Sequence, residues 1–175
     1  MDVAWMMDRL ERFPPVLMAL LDGCSQEDAL WRPNDDDWSI LEIVCHLTDE
    51  DLDDFGTRLR LLLESPESDW PKIDPQAAVT ERQYRERNLQ TTLREFAAVR
   101  RTKIGWLRTM VDADYEVEAR HPALHHPVHG TMSAGALLAS WCAHDALHLR
   151  QVAHRLHQLT DFRAGDHDIG YAGDW

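Results

Sequence analysis

Two histidines four residues apart are the clearest chemical feature of this sequence. His144 and His148 lie in the segment WCAHDALHLRQ, whose apolar spacing is helical, so both side chains project from one helix face. An i, i+4 imidazole pair is a common way for a helix to offer two ligands to a metal ion. Gln151 shares the face of His148 and is a candidate to orient its imidazole or contact a ligand, with an ordinary interhelical hydrogen bond as the alternative. Asp145 points about 100° away from His144 and is expected at the surface.

A third histidine, His46, lies in the apolar segment IVCHL. It is either a satisfied core histidine or a further ligand. Glu42 and Glu50 lie four residues to either side and share its face. Glu42 fits a capping box with Ser39, which leaves Glu50 as the candidate second contact or general base, with Asp49 as its close competitor.

The neighbouring cysteines and tryptophans are expected to pack rather than react. Cys45 and Cys142 should point to other helix faces than the adjacent histidines, and we interpret them as buried, inert thiols. Trp141 and Trp38 lie close in sequence to the histidines and are candidates for a pocket wall, Trp141 more so than Trp38. A run of four histidines between residues 121 and 129 is interpreted as a solvated loop, with a second metal site as the alternative. The terminal Trp175 either docks on the bundle or a partner, or is loose.

Composition excludes several classes of protein. The 175 residues carry 31 Asp and Glu against 18 Lys and Arg, a formal net charge of −13. This acidity argues against binding to nucleic acid or to anionic lipid. No apolar run approaches the roughly 20 residues needed to span a bilayer. The start MDVAW lacks a signal-peptide layout, and three cysteines cannot all pair internally. We therefore expect a cytoplasmic protein with reduced thiols and a small-molecule substrate.

Helical periodicity dominates the chain and strand signals are almost absent. Four main helices are predicted, at about 14–23, 39–63, 81–111 and 131–159, with a short helical turn before Pro14 and an irregular tail over 160–175. Together they predict one domain over residues 1–175 and an all-α four-helix bundle. The long connections at 65–80 and 112–130 leave up-down-down-up and simple up-and-down winding equally open.

Charge suggests which helices are neighbours. Residues 34–54 hold nine acids and no Lys or Arg, whereas residues 81–108 hold eight bases and three acids. The second and third helices are therefore complementary and are expected to pack together. The alternative is that each simply presents a solvated face, since exposed ion pairs contribute little to stability.

Several short motifs resemble those of the DinB-like superfamily, the damage-inducible and YfiT-like metalloenzymes. At the N-terminal side these are LWRP at 30–33, WSI at 38–40, and HL at 46–47 followed by Glu50. At the C-terminal side, GTM at 130–132 precedes a helix with the pattern HxxxHxxQ at 144–151. Their order and spacing agree with the family over residues 14–159.

The resemblance implies an up-down-down-up bundle with one divalent metal ion bound by His46, His144 and His148. Family members are often homodimers, and some characterised relatives are S-transferases or isomerases that use low-molecular-weight thiols such as bacillithiol or mycothiol. Three neutral imidazoles leave an open metal position, as in catalytic zinc sites. Zinc is the default ion, and imidazole also suits nickel or iron.

Three functions therefore remain open, led by a thiol-dependent S-transferase. The others are a metal-assisted hydrolase and a non-catalytic, stress-related binding protein. The acids around His46 favour a cation and disfavour an anionic substrate. An anionic thiol would need a cation from Arg150 or from the third helix.

Overall fold

A computed structural model describes residues 1–118, 125–126 and 130–173 of the chain. The predictions for the side chains of the 121–129 loop and for Trp175 lie outside this described part. The helices are α1 (Val3–Leu20), α2 (Gln26–Leu30), α3 (Ile40–Asp53), α4 (Phe55–Glu64), α5 (Pro75–Glu81), α6 (Leu89–Leu107) and α7 (Ala134–Ala164). Two-residue strands, β1 (His125–His126) and β2 (Gly130–Thr131), pair antiparallel beside this all-α bundle.

Two apolar clusters stacked along the bundle give the direction of each helix. The first cluster joins the end of α1 to the beginnings of α3 and α6 and the later part of α7; its members include Leu17, Leu21, Ile40, Ile43, Leu89, Leu93 and Val152. The second joins the beginnings of α1 and α7 to α4 and the end of α6; its members include Met7, Leu10, Leu59, Leu62, Ile104, Leu107, Leu137 and Leu138. The order is therefore up-down-down-up, as the resemblance implied. No helix in the described ranges is both long and apolar enough to cross a membrane.

Helix α1 corrects the prediction that a main helix starts near Pro14. It runs unbroken from Val3 to Leu20 with Pro14 and Pro15 inside it. A proline removes the hydrogen bond to the carbonyl four residues earlier, which for Pro14 is the carbonyl of Leu10. Arg100 of α6 donates to that carbonyl at 3.0 Å, so a tertiary contact replaces the lost helical bond.

The second predicted helix is correct at its start and broken near its end. The capping box forms as expected, because Glu42 accepts from the Ser39 backbone and Ser39 accepts from the Glu42 backbone. The break falls at Asp54, which has non-helical backbone angles and separates α3 from α4. The break brings Gly56 against the Asp51 carbonyl, where a side chain has no room.

The third predicted helix begins later than expected, and the fourth ends later than expected. Helix α6 begins at Leu89 rather than Glu81, because Gln83 adopts a left-handed conformation and Asn88 caps the helix. As predicted, α6 packs beside the acidic α3. Helix α7 continues to Ala164, five residues beyond the expected end, and Gly165 follows it with a φ of 63°. The irregular tail therefore starts after residue 164 rather than at 160.

Replacement by alanine is predicted to have opposite effects at two glycines, Gly56 at the α3–α4 break and Gly105 inside α6. A Cβ at position 56 would lie 2.2 Å from the Asp51 carbonyl oxygen, so Gly56→Ala should lower the free energy of unfolding by about 1–3 kcal/mol. A Cβ at position 105, inside α6, would meet nothing within 4 Å, so Gly105→Ala should raise it by up to about 1 kcal/mol. Urea unfolding measures both free energies. Equal stability of the two variants would contradict the close approach of the backbone at Gly56.

Candidate metal centre

The three predicted ligand histidines meet between α3 and α7. The Nε2 atoms of His148 and His144 are 3.0 Å apart, and those of His46 and His144 are 3.4 Å apart. One ligand atom from each of the three side chains lies within 4.8 Å of the others. The cluster lies between the two apolar clusters, since Trp141 and Val152, which flank the pair on α7, belong to different ones.

These separations suit a divalent metal ion. Zinc–nitrogen bonds are about 2.0–2.1 Å in tetrahedral sites, and the edge of such a tetrahedron is about 3.3 Å. The two short Nε2 separations lie on either side of that value. The donor set and its spacing therefore fit one cation held by three imidazoles.

The three imidazoles are neutral at pH 7, the state in which histidine binds metals. Burial lowers the pKa of His46 to about 3, and the neighbouring His148 adds to the effect. Burial likewise lowers the pKa of His144 to about 3. The pKa of His148 is also lowered by burial, while its hydrogen bond to Gln151 opposes the shift.

Contacts at the Nδ1 atoms of His148 and His46 leave the Nε2 atoms of the three histidines facing one another. His148 Nδ1 lies 2.8 Å from Gln151 Oε1. His46 Nδ1 lies 3.5 Å from Glu50 Oε1. An acceptor at Nδ1 favours the tautomer with a free Nε2 lone pair. His144 Nδ1 is buried and has no hydrogen-bond partner among the described residues.

The competition between Glu50 and Asp49 is decided by their partners. Asp49 accepts a hydrogen bond from the Tyr84 hydroxyl and forms an ion pair with Arg82 at 2.8 Å. Glu50 instead contacts His46 and is 7% exposed. Burial, followed by the nearby Asp54, raises the pKa of Glu50 to about 8.

Aromatic rings surround the histidines, and Trp141, expected in a pocket wall, is instead buried and absent from the lining of the two cavities beside the cluster. Its side chain is 1% exposed and its indole N–H donates to Asp51 at 2.9 Å. Phe55, which the sequence reading missed, stacks on Trp141 and has its ring centre 5.0 Å from that of His144. Trp38, expected to pack, lies 4.8 Å from the ring of His46.

Two open cavities reach the cluster from different sides. One of about 560 Å³ reaches His46 and Glu50 and is also lined by Asp49, Asp53 and Arg82. Arg82 pairs with both aspartates, at 2.8 and 2.7 Å.

The other cavity, of about 570 Å³, lies beside His148 and Gln151 and is lined by residues of α7, including Arg150. The cavity on the His46 side thus carries more acidic than basic residues, whereas the described lining on the His148 side includes Arg150 and no carboxylate.

Asp145 corrects the expectation of a surface role. It is 4% exposed and binds Arg100 through both carboxylate oxygens, at 2.6 and 2.9 Å. Arg100 also binds Asp51 of α3. A sequence signal existed, because Arg100 lies four residues from both Phe96 and Ile104 in the apolar stripe of α6.

The surroundings of the two cysteines beside the histidines disfavour their thiolate forms, which agrees with their interpretation as inert, although Cys142 is half-buried rather than buried. Burial raises the pKa of the Cys45 thiol to about 12 and that of Cys142 to about 11. Because the thiolate is the nucleophile and the metal ligand, neither side chain supplies one at neutral pH.

Comparison with known proteins identifies the family and agrees with the fold. A family model described as the DinB superfamily matches residues 9–152. The chain belongs to the DinB superfamily. Among solved structures, the bundle is similar to YfiT from Bacillus subtilis, reported as "a probable metal-dependent hydrolase with an unusual four-helix bundle topology". The TM-score is 0.78 at 16% identity, over 91% of this chain and 88% of that one. No curated protein matches the chain significantly.

The three-histidine geometry predicts metal uptake that depends on His148. Wild-type protein purified with excess Zn²⁺ and then dialysed should retain one ion per chain, measured by elemental mass spectrometry. His148→Ala should lose most of it, because two imidazoles remain. His157→Ala, a matched change on α7 outside the cluster, should retain it. Equal metal content in both variants would contradict the assignment.

The Gln151 contact predicts a graded effect on affinity. Gln151→Leu removes the acceptor at His148 Nδ1 and should weaken Zn²⁺ binding by about 10–100-fold. Gln151→Glu keeps an acceptor and should bind close to wild type. Competition with a chromophoric chelator measures both values, and a Leu variant with wild-type affinity would rule out the orienting role.

Proposed function

We propose that this DinB-superfamily protein is a metal-dependent hydrolase whose site is His46, His144 and His148, with Glu50 as its base. The observation that carries the proposal is the convergence of three neutral imidazole Nε2 atoms beside the Glu50 carboxyl, at a cavity of about 560 Å³. A divalent cation there supplies Lewis acidity, which lowers the pKa of water and polarises a substrate oxygen. The similarity to YfiT supports the fold and agrees with this reaction class.

The residues of the chain divide the remaining work. Gln151 holds the His148 ring, and Glu50 lies close enough to His46 to hold its ring and also lines the cavity. Above its pKa of about 8, Glu50 is a carboxylate that accepts a proton from water as the water attacks a substrate carbonyl or phosphoryl group. Trp38 and Phe55 shield the rings from bulk solvent, which strengthens electrostatic interactions within the site.

The charge of the cavity on the His46 side favours hydrolysis of a neutral or cationic substrate. Five acidic residues line it against two basic ones, Lys72 and Arg82, and Arg82 is already paired with Asp49 and Asp53. An anionic thiol would meet an unfavourable potential on this side.

Thiol-dependent S-transfer at the same ion is the second candidate. Its support is Arg150, which lines the cavity beside His148 and Gln151 and could pair with a carboxylate of a thiol cofactor. The choice of zinc, nickel or iron, the homodimer and the cytoplasmic location stay predictions from the sequence.

Exchange of the Glu50 carboxylate for an amide tests the hydrolase. The Zn²⁺-loaded protein is assayed against neutral p-nitrophenyl esters and against amide and phosphoester analogues. Glu50→Gln should keep Zn²⁺ bound and lower kcat by about 10²–10⁴-fold, since an amide cannot accept the proton. Glu64→Gln, the same exchange on the surface of α4, should leave kcat unchanged.

A spectroscopic experiment separates the candidate functions. Co²⁺-loaded protein is titrated with bacillithiol and with glutathione while its visible absorption is recorded. We expect no change together with metal-dependent hydrolysis. A thiol-induced change without hydrolysis would replace the hydrolase by the transferase. Bound metal with neither response would indicate a non-catalytic binding protein.

A further inference from the structure

Arg100 joins all four helices of the bundle through one side chain that is 1% exposed. Its Nε and Nη2 donate to Asp51 of α3, at 2.7 and 2.8 Å. Its Nη1 and Nη2 donate to Asp145 of α7, at 2.6 and 2.9 Å, and Nη1 also donates to the Leu10 carbonyl of α1. These five bonds match the five N–H donors of a guanidinium group.

Both carboxylates are next to the residues of the site. Asp51 follows Glu50, which contacts His46, and Asp145 follows His144. Helix α3 supplies one histidine of the cluster and α7 supplies the other two, so the separation of these helices decides whether the Nε2 atoms converge. Trp141 of α7 adds a second link by donating its indole N–H to Asp51.

We infer that Arg100 is a positioning residue for the three-histidine site. Without two bidentate pairs to one guanidinium, Asp51 and Asp145 are buried carboxylates whose charges are incompletely compensated and repel each other. That repulsion would separate α3 from α7 and draw His46 away from His144 and His148. The inference rests on the proposed metal site, and it assigns to a residue of α6 the spacing of ligands on two other helices.

Three variants test this role against a purely structural one. Arg100→Lys keeps the charge but cannot form two bidentate pairs. Trp141→Phe keeps an aromatic ring beside Phe55 and removes the N–H to Asp51 together with part of the buried indole. Leu93→Ala, in the first apolar cluster on the same helix, is the control for a general loss of stability. Each is characterised by its urea midpoint, its Co²⁺ affinity and the visible spectrum of bound Co²⁺.

We expect Arg100→Lys to bind Co²⁺ about 10–100-fold more weakly with an altered spectrum. Trp141→Phe should show a smaller loss in the same direction. Leu93→Ala should keep the wild-type affinity and spectrum at a comparable urea midpoint. Wild-type binding by Arg100→Lys would overturn the inference. If that variant does not fold, wild-type affinity and spectrum in Trp141→Phe would overturn it.

Structures of the metal-free protein distinguish a failure of this inference from a failure of the proposed function. If the wild type binds no metal, the proposed site fails. The positioning role is then judged from crystal structures of the metal-free variants. The His46–His144 Nε2 separation of 3.4 Å should widen in Arg100→Lys and stay the same in Leu93→Ala. An unchanged separation in Arg100→Lys would overturn the inference.

Discussion

One buried guanidinium holds the centre of this bundle together. Arg100 satisfies two carboxylates and a backbone carbonyl at once, and its charge lies near the rings of Phe13, Phe96 and Trp141. Burial of a charge is costly unless it is paired and hydrogen-bonded. Because the two carboxylates come from α3 and α7, satisfying Arg100 also requires these helices to lie at one particular separation and rotation.

The candidate site uses that arrangement. Burial keeps the three imidazoles neutral, and contacts at the outer nitrogens of His46 and His148 turn their Nε2 atoms toward His144. The break at Asp54 then places Phe55 beside His144. The same break requires a glycine at position 56, where the chain passes the Asp51 carbonyl. Packing, charge and local backbone geometry thus together set the positions of the side chains in the three-histidine site.

The errors in the predicted helices share a cause. Local rules placed a helix start at Pro14, because a proline in a helix interior leaves a carbonyl without its donor. They could not include Arg100, which lies far along the chain and satisfies the Leu10 carbonyl. The same limit hid Asp145, whose surface placement followed from its angle to His144, whereas its burial depends on Arg100. The left-handed turn at Gln83 had no glycine to signal it.

The sequence by itself determined the all-α class, the capping box at Ser39 and Glu42, and the histidine pair on one helix face. These follow from contacts over three or four residues, which helical periodicity makes readable. The motifs also led to the right family and topology. The family resemblance implied that His46 joins this pair. Tertiary structure alone decided that Tyr84 and Arg82 occupy Asp49, and that Trp141 is buried against Asp51 and Phe55. Each of these depends on partners distant in sequence, whose distances are set by packing.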